Sequence, residues 1–136
     1  MVVELPIRVR YAETDAMGIV HHASYIIWLE LGRSELLRTI GLPYTEIEAS
    51  GYYVMLADLH IRYRAPARYD DLVVLRTELT QLRSRQIRFT YQVSLQHNAT
   101  PLIDAQSEHI IVSRETGRPA RLPPDFLVRL DHKTAM

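Results

Sequence analysis

The stretch from Tyr25 to Ile40 constrains the fold more than any other part of the chain. Tyr25, Trp28, Leu29, Gly32, Leu36, Leu37 and Ile40 recur at three- and four-residue steps, the period of a helix face. The spacing predicts a helix of about four turns, with Ser24 placed to cap its start and Gly41 its end. Apolar residues occupy so much of its circumference that the helix needs a wide cover. No comparable helix is available to provide one. Pro43 to Gly51 reads as a short second helix, and Asp125 to Leu130 as one short stretch near the end.

The cover must therefore be a sheet. After Gly51 the apolar period changes from helical to alternating. Ile87, Phe89, Tyr91, Val93 and Leu95 interleave with Arg88, Thr90, Gln92, Ser94 and Gln96, which gives a strand with one buried and one polar face. Tyr52–Tyr63, Leu72–Leu82 and Leu102–Ser113 have similar strand character, and Leu5–Tyr11 supplies one more near the start. Arg64–Asp71 reads as a turn and His97–Pro101 as a hairpin, so the last four strands are expected to form an antiparallel meander. The resulting class is α+β: a long central helix wrapped by a curved antiparallel sheet of about five strands. Gly32 in mid-helix predicts close approach of helix and sheet, since glycine there costs about 1 kcal/mol against alanine. The open sheet edges favour a homo-oligomer, a dimer or a tetramer built from dimers.

Composition narrows the function classes. The 136 residues fit one domain, 1–136, with residues 131–136 expected as a frayed tail. Sixteen basic residues balance sixteen acidic ones, so bulk attraction to nucleic acid or to an anionic membrane is not expected. No run approaches the roughly 20 apolar residues of a membrane span. MVVELPIRVRY lacks the pattern of a signal peptide, and a cytoplasmic location is the expectation. The chain has no cysteine, which excludes disulfides, thiolate metal sites and cysteine nucleophiles. His21 and His22 are adjacent, and His60, His97 and His109 lack tight ligand spacing, so no metal is expected. His60 and His109 read as ordinary, partly buried strand histidines. Phosphate-loop and G-x-S-x-G patterns are also missing.

The informative segment is Tyr11 to Tyr25, between the first strand and the long helix. A helix start offers unpaired N–H groups and a partial positive charge, able to polarise a carbonyl oxygen. Gly18 allows a tight turn in the same loop. Asp15 lies in that loop with His22 seven residues on, and a carboxylate beside such donors can act as a nucleophile or as a general base on water. A turn or capping role for Asp15 is the plainer alternative.

Asp15-x-x-Gly18-x-Val20-x-x-x-x-Tyr25 resembles the helix-entry motif of the 4-hydroxybenzoyl-CoA thioesterase family of hot-dog proteins. With Tyr11 and His22 it is similar to the branch of short-chain and aromatic acyl-CoA thioesterases that includes the Tol–Pal-associated enzymes. The Gly41-Leu-Pro43 break and the Tyr63-Arg-Ala-Pro66 corner extend the likeness over nearly the whole chain. Met17 departs from it, since a small residue often precedes the glycine.

The resemblance implies hydrolysis of an acyl-CoA thioester to a carboxylic acid and free CoA, without a further cofactor. Asp15 would attack the carbonyl or activate water. His22 and its neighbours would polarise the carbonyl through backbone N–H groups, while the His22 side chain and Tyr11 orient the carboxylate or water. Gly18, Val20, Tyr25, Trp28 and Met55 would line the acyl site. Arg83, Ser84 and Arg85, with Arg88 near, are the candidates for the CoA phosphates. Arg62, Arg64 and Arg68 read as structural. The competing readings are a hot-dog dehydratase or hydratase, a non-catalytic acyl-CoA sensor, and a thioesterase for carrier-protein substrates.

Overall fold

A computed structural model describes residues 1–134, with side chains through Asp131. In chain order it contains β1 (Val2–Arg8), a single 3-10 turn (Tyr11–Glu13), α1 (Ser24–Ile40) and α2 (Tyr44–Ala49). Four strands follow, β2 (Tyr52–Tyr63), β3 (Leu72–Leu82), β4 (Gln86–Leu95) and β5 (Pro101–Ser113), and then α3 (Pro124–Thr134). The expected terminal helix thus runs beyond Leu130. The expected tail is helical through Thr134, and residues 135 and 136 lie outside the described residues. None of the described helices is long and apolar enough to cross a membrane.

Five antiparallel strands form one sheet in the order β1-β3-β4-β5-β2, and α1 packs against it. This is the hot-dog arrangement that the resemblance implies. The alternation in β4 sorts as expected. Ile87, Phe89, Tyr91 and Val93 are buried against α1 residues such as Trp28, Leu29, Leu36 and Leu37. On the opposite face Arg88 pairs with Glu108 and Arg64 with Asp104. Gly32 is buried, and a methyl group there would overlap Thr77 Oγ1 and Leu75 Cδ2. The helix therefore lies directly on the sheet at mid-length, and glycine is what permits it.

One expectation fails in an instructive way. β2 does not continue the meander beside β3; it pairs with β5 at the far edge, from Tyr52↔Ser113 to Tyr63↔Ile103 with a register shift between Leu56 and Asp58. Residues 64–71 are thus a crossover past the ends of β5 and β4, not a hairpin turn. Leu102 O accepts from both Arg64 N–H (2.8 Å) and Ala65 N–H (3.2 Å), and Ala67 O accepts from Val20 N–H (2.8 Å). The turn-forming residues were legible, but the strand partner depends on contacts remote in sequence.

The interior also carries a polar chain. Arg33 Nη1 donates to Tyr91 Oη (3.1 Å), Tyr91 Oη lies 2.6 Å from Ser107 Oγ, and Ser107 Oγ lies 2.8 Å from His109 Nε2. His109 is fully buried, whereas His60 stands exposed on the edge strand. Burial, reinforced by the Arg33 cation, lowers the His109 imidazole from 6.5 to about 4. An unfolded chain accepts that proton near pH 6.5 while the folded chain refuses it until about pH 4. This contribution to stability is complete above the unfolded value and is lost progressively as pH falls through the folded one. The urea midpoint should decline between those two pH values, and His109→Gln should flatten the decline. Equal slopes in the two proteins would contradict the assignment.

Candidate active site

The loop from Glu13 to Ala23 is built around one buried carboxylate. Glu13 Oε1 accepts from Arg10 N–H (2.7 Å) and Oε2 from the Trp28 indole N–H (2.6 Å). The Arg10 guanidinium reaches Oε2 at 3.4 Å. Glu13 O meanwhile accepts from His21 N–H (2.8 Å) and Ser24 Oγ–H (3.1 Å). Ser24 is thus not the N-cap. Ala23 holds that position, and the Ser24 hydroxyl fastens the first turn of α1 to the loop. Burial alone would raise the Glu13 carboxyl, but the Arg10 and Trp28 donors outweigh it and hold it below the usual carboxylate range.

Within this frame Asp15 closes a turn. Its N–H donates to Ile19 O (2.8 Å), its carbonyl accepts from Gly18 N–H (3.0 Å), and its Oδ1 accepts from Met17 N–H (2.8 Å). Gly18 sits at φ 77°, a left-handed conformation that glycine adopts without strain. The turn leaves Asp15 Oδ2 without a protein hydrogen bond among the described residues.

Asp15 lines a cleft of about 370 Å³ with Met17, Val20, His22, Tyr25, the last β2 residue Tyr63 and the crossover residues Arg64 to Pro66. At the cleft the helix start presents its donors. Ser24 N–H is used by His21 O (2.9 Å) and Ala23 N–H by His21 Nδ1 (3.1 Å). The N–H groups of His22 and Tyr25 have no acceptor among the described residues. The residues that carry this carboxylate and these donors, Asp15, His22 and Tyr25, thus line one mostly apolar recess. That combination suits a carbonyl compound attacked at carbon and polarised at oxygen.

Of the residues singled out from the sequence, Asp15, Val20, His22 and Tyr25 come together at the cleft, with Gly18 shaping its loop. The others do not reach it within one chain. Tyr11 is 77% exposed and packs edge-on against Tyr69 (5.4 Å). Trp28 is 1% exposed, buried behind Tyr25 and committed to Glu13. Met55 is half exposed on the edge strand. Arg83, Ser84 and Arg85 form the β3–β4 turn, at the opposite end of β3 from the Asp15 loop. That strand is 11 residues long, about 35 Å at roughly 3.3 Å per residue. Ser84, Arg83 and α3 residues Leu127 and Val128 border a separate recess there. Two residues that matter were not anticipated. Glu13 resembled one more polar loop residue, and Tyr63 entered only as part of the Tyr63-Arg-Ala-Pro66 corner, with no role of its own. Among the described residues no group of three His, Asp or Glu side chains could hold a metal.

The fold is that of the thioester-cleaving hot-dog class. The profile of the Thioesterase-like superfamily matches residues 9–130, and the chain belongs to that family. It is 34% identical over 122 residues to the acyl-CoA thioester hydrolase YbgC of Escherichia coli O157:H7, covering 90% of both chains. To the acyl-CoA thioesterase YbgC of Haemophilus influenzae it is 30% identical over 128 residues, 93% of both. Among solved structures, a DHNA-CoA thioesterase from Staphylococcus aureus superposes with TM-score 0.91 at 25% identity, covering 98% of this chain and 91% of that one.

If Glu13 holds this loop, Glu13→Ala should strand one buried donor, the Trp28 indole, and the part-buried Arg10 N–H, and cost about 1–3 kcal/mol. Urea unfolding followed through Trp28, the single tryptophan, measures it. A change below about 0.5 kcal/mol, the range of an ordinary surface substitution, would contradict the role.

Proposed function

We propose that this chain is an acyl-CoA thioesterase that hydrolyses short-chain or aromatic acyl thioesters to a carboxylic acid and free CoA. The observation that carries the reading is that Asp15 lines the same recess as His22 and Tyr25, whose N–H groups have no acceptor among the described residues. The thioester carbonyl oxygen takes its hydrogen bonds from those donors, which strengthen as negative charge develops on it. Asp15 either attacks the carbonyl carbon, expelling CoA thiolate and leaving a mixed anhydride for water to cleave, or removes a proton from the attacking water. Both routes end in the same acid and thiol. The His22 side chain flanks this point.

Two observations support a small acyl group: the cleft measures about 370 Å³, and α1 lies directly on the sheet at Gly32, against Thr77 and Leu75. The rings of Tyr25 and Tyr63, 5.6 Å apart and edge-on, form an aromatic wall.

The reading includes a homodimer, with tetramers built from it. β2 is an edge strand whose Tyr53, Met55 and Leu56 stand exposed, an arrangement that favours pairing with another copy. In such a dimer Met55 would belong to the acyl site across the interface. The Arg83-Ser84-Arg85 turn, remote from Asp15 in its own chain, would serve the CoA phosphates of the partner's site. Tyr11, exposed beside the loop, would meet substrate at the mouth.

Free-thiol release from a panel of acyl-CoAs, short aliphatic to aryl, tests the function. Asp15→Asn should lower kcat/KM by about 10³-fold or more. His22→Ala should lose about tenfold, because its backbone donor survives the substitution. Absence of thiol release across the panel, or equal losses in both variants, would contradict the reading.

A further inference from the structure

The first turn of α1 is unusual in its bookkeeping of carbonyls. Ser24 N–H reaches back three residues to His21 O, and Ile26 N–H three residues to Ala23 O (3.2 Å). The His22 carbonyl is skipped by the helix. It accepts instead from the Tyr63 phenol, at 2.9 Å. Tyr63 is the last residue of β2, so this bond ties the edge strand on the far side of the sheet to the entry of the central helix.

We propose that Tyr63 is a positioning residue for the thioester site, acting through the His22 peptide units. The two peptide planes that flank the His22 α-carbon are both held. On one side the His21 carbonyl is taken by Ser24 N–H (2.9 Å). On the other, the His22 carbonyl is taken by Tyr63 and the Ala23 N–H by His21 Nδ1 (3.1 Å). With both planes fixed, the unpaired His22 N–H and the His22 imidazole keep one direction relative to Asp15 across the cleft. The Tyr63 ring packs edge-on to Tyr25 and lines the same cleft. Burial raises the phenol above its ordinary range, so it remains a donor throughout neutral and mildly alkaline conditions.

The proposal rests on the thioesterase reading, and the test separates the two. Tyr63→Phe keeps the ring and the cleft wall and removes only the donor. Its kcat for thiol release should fall about 10- to 100-fold, the scale of a small misplacement of reacting groups. KM should stay within about twofold and the urea midpoint close to that of the parent. Tyr63→Ala, which also removes the wall, should raise KM as well. In parallel, the backbone amide resonances of His22 to Ile26 should shift in Tyr63→Phe while those of β3 and β4 do not.

Unchanged kcat in Tyr63→Phe, a loss confined to KM, or unmoved amide resonances at His22 would each overturn the positioning role. A parent protein that releases no thiol from any acyl-CoA would overturn the thioesterase reading and the catalytic half of this proposal together. The amide spectrum would still decide whether Tyr63 holds the helix entry.

Discussion

The carboxylate of Glu13, held by Trp28 and Arg10, is the interaction on which the rest depends. A buried carboxylate without partners is strongly unfavourable. Here each oxygen accepts from a fixed donor, 2.7 Å from Arg10 N–H and 2.6 Å from the Trp28 indole. Trp28 is locked in the core beneath Tyr25, so Glu13 transmits the position of the core to the loop. Its own carbonyl then holds His21 N–H and the Ser24 hydroxyl. Both the carboxylate of Asp15 and the donors of the helix start are thereby referred to one rigid point. Precision of this kind is what a site of fixed hydrogen-bond donors requires.

The site also needs a second wall, and the topology supplies it. Because β2 pairs with β5, the chain must pass from one side of the sheet toward the other before β3 begins. The passage runs beside the helix entry, where Ala67 O binds Val20 N–H and Tyr63 binds His22 O. The recess between loop and crossover is thus a consequence of strand order. A plain hairpin at 64–71 would have left Asp15 on an open surface.

This explains what was legible in the sequence. The central helix, β3 and the alternation in β4 follow from local period, and the structure reproduces them closely. The Asp15–Gly18 turn and the helix-entry position of His22 were legible from residue type and the family motif. The place of β2 was not, because pairing across the sheet joins residues remote in sequence and leaves no local mark. Glu13 was missed for a different reason. A glutamate in a polar loop reads as solvated, and only the indole of Trp28 fifteen residues away turns it inward. Ser24 looked like a cap because serine before an apolar run usually is one; here the 3-10 turn at Tyr11–Glu13 brings a carbonyl close enough to claim its hydroxyl. The polar chain from Arg33 to His109 is likewise visible only once α1, β4 and β5 are packed together.

The most direct test of the account is the structure of the protein bound to a non-hydrolysable acyl-CoA analogue in which a methylene replaces the thioester sulfur. The account places the analogue's carbonyl oxygen within hydrogen-bond distance, about 2.7–3.2 Å, of the His22 N–H. It places the carbonyl carbon beside Asp15 and the acyl group against Tyr25 and Tyr63. An acyl carbonyl bound away from the start of the central helix, with Asp15 turned to solvent, would contradict it.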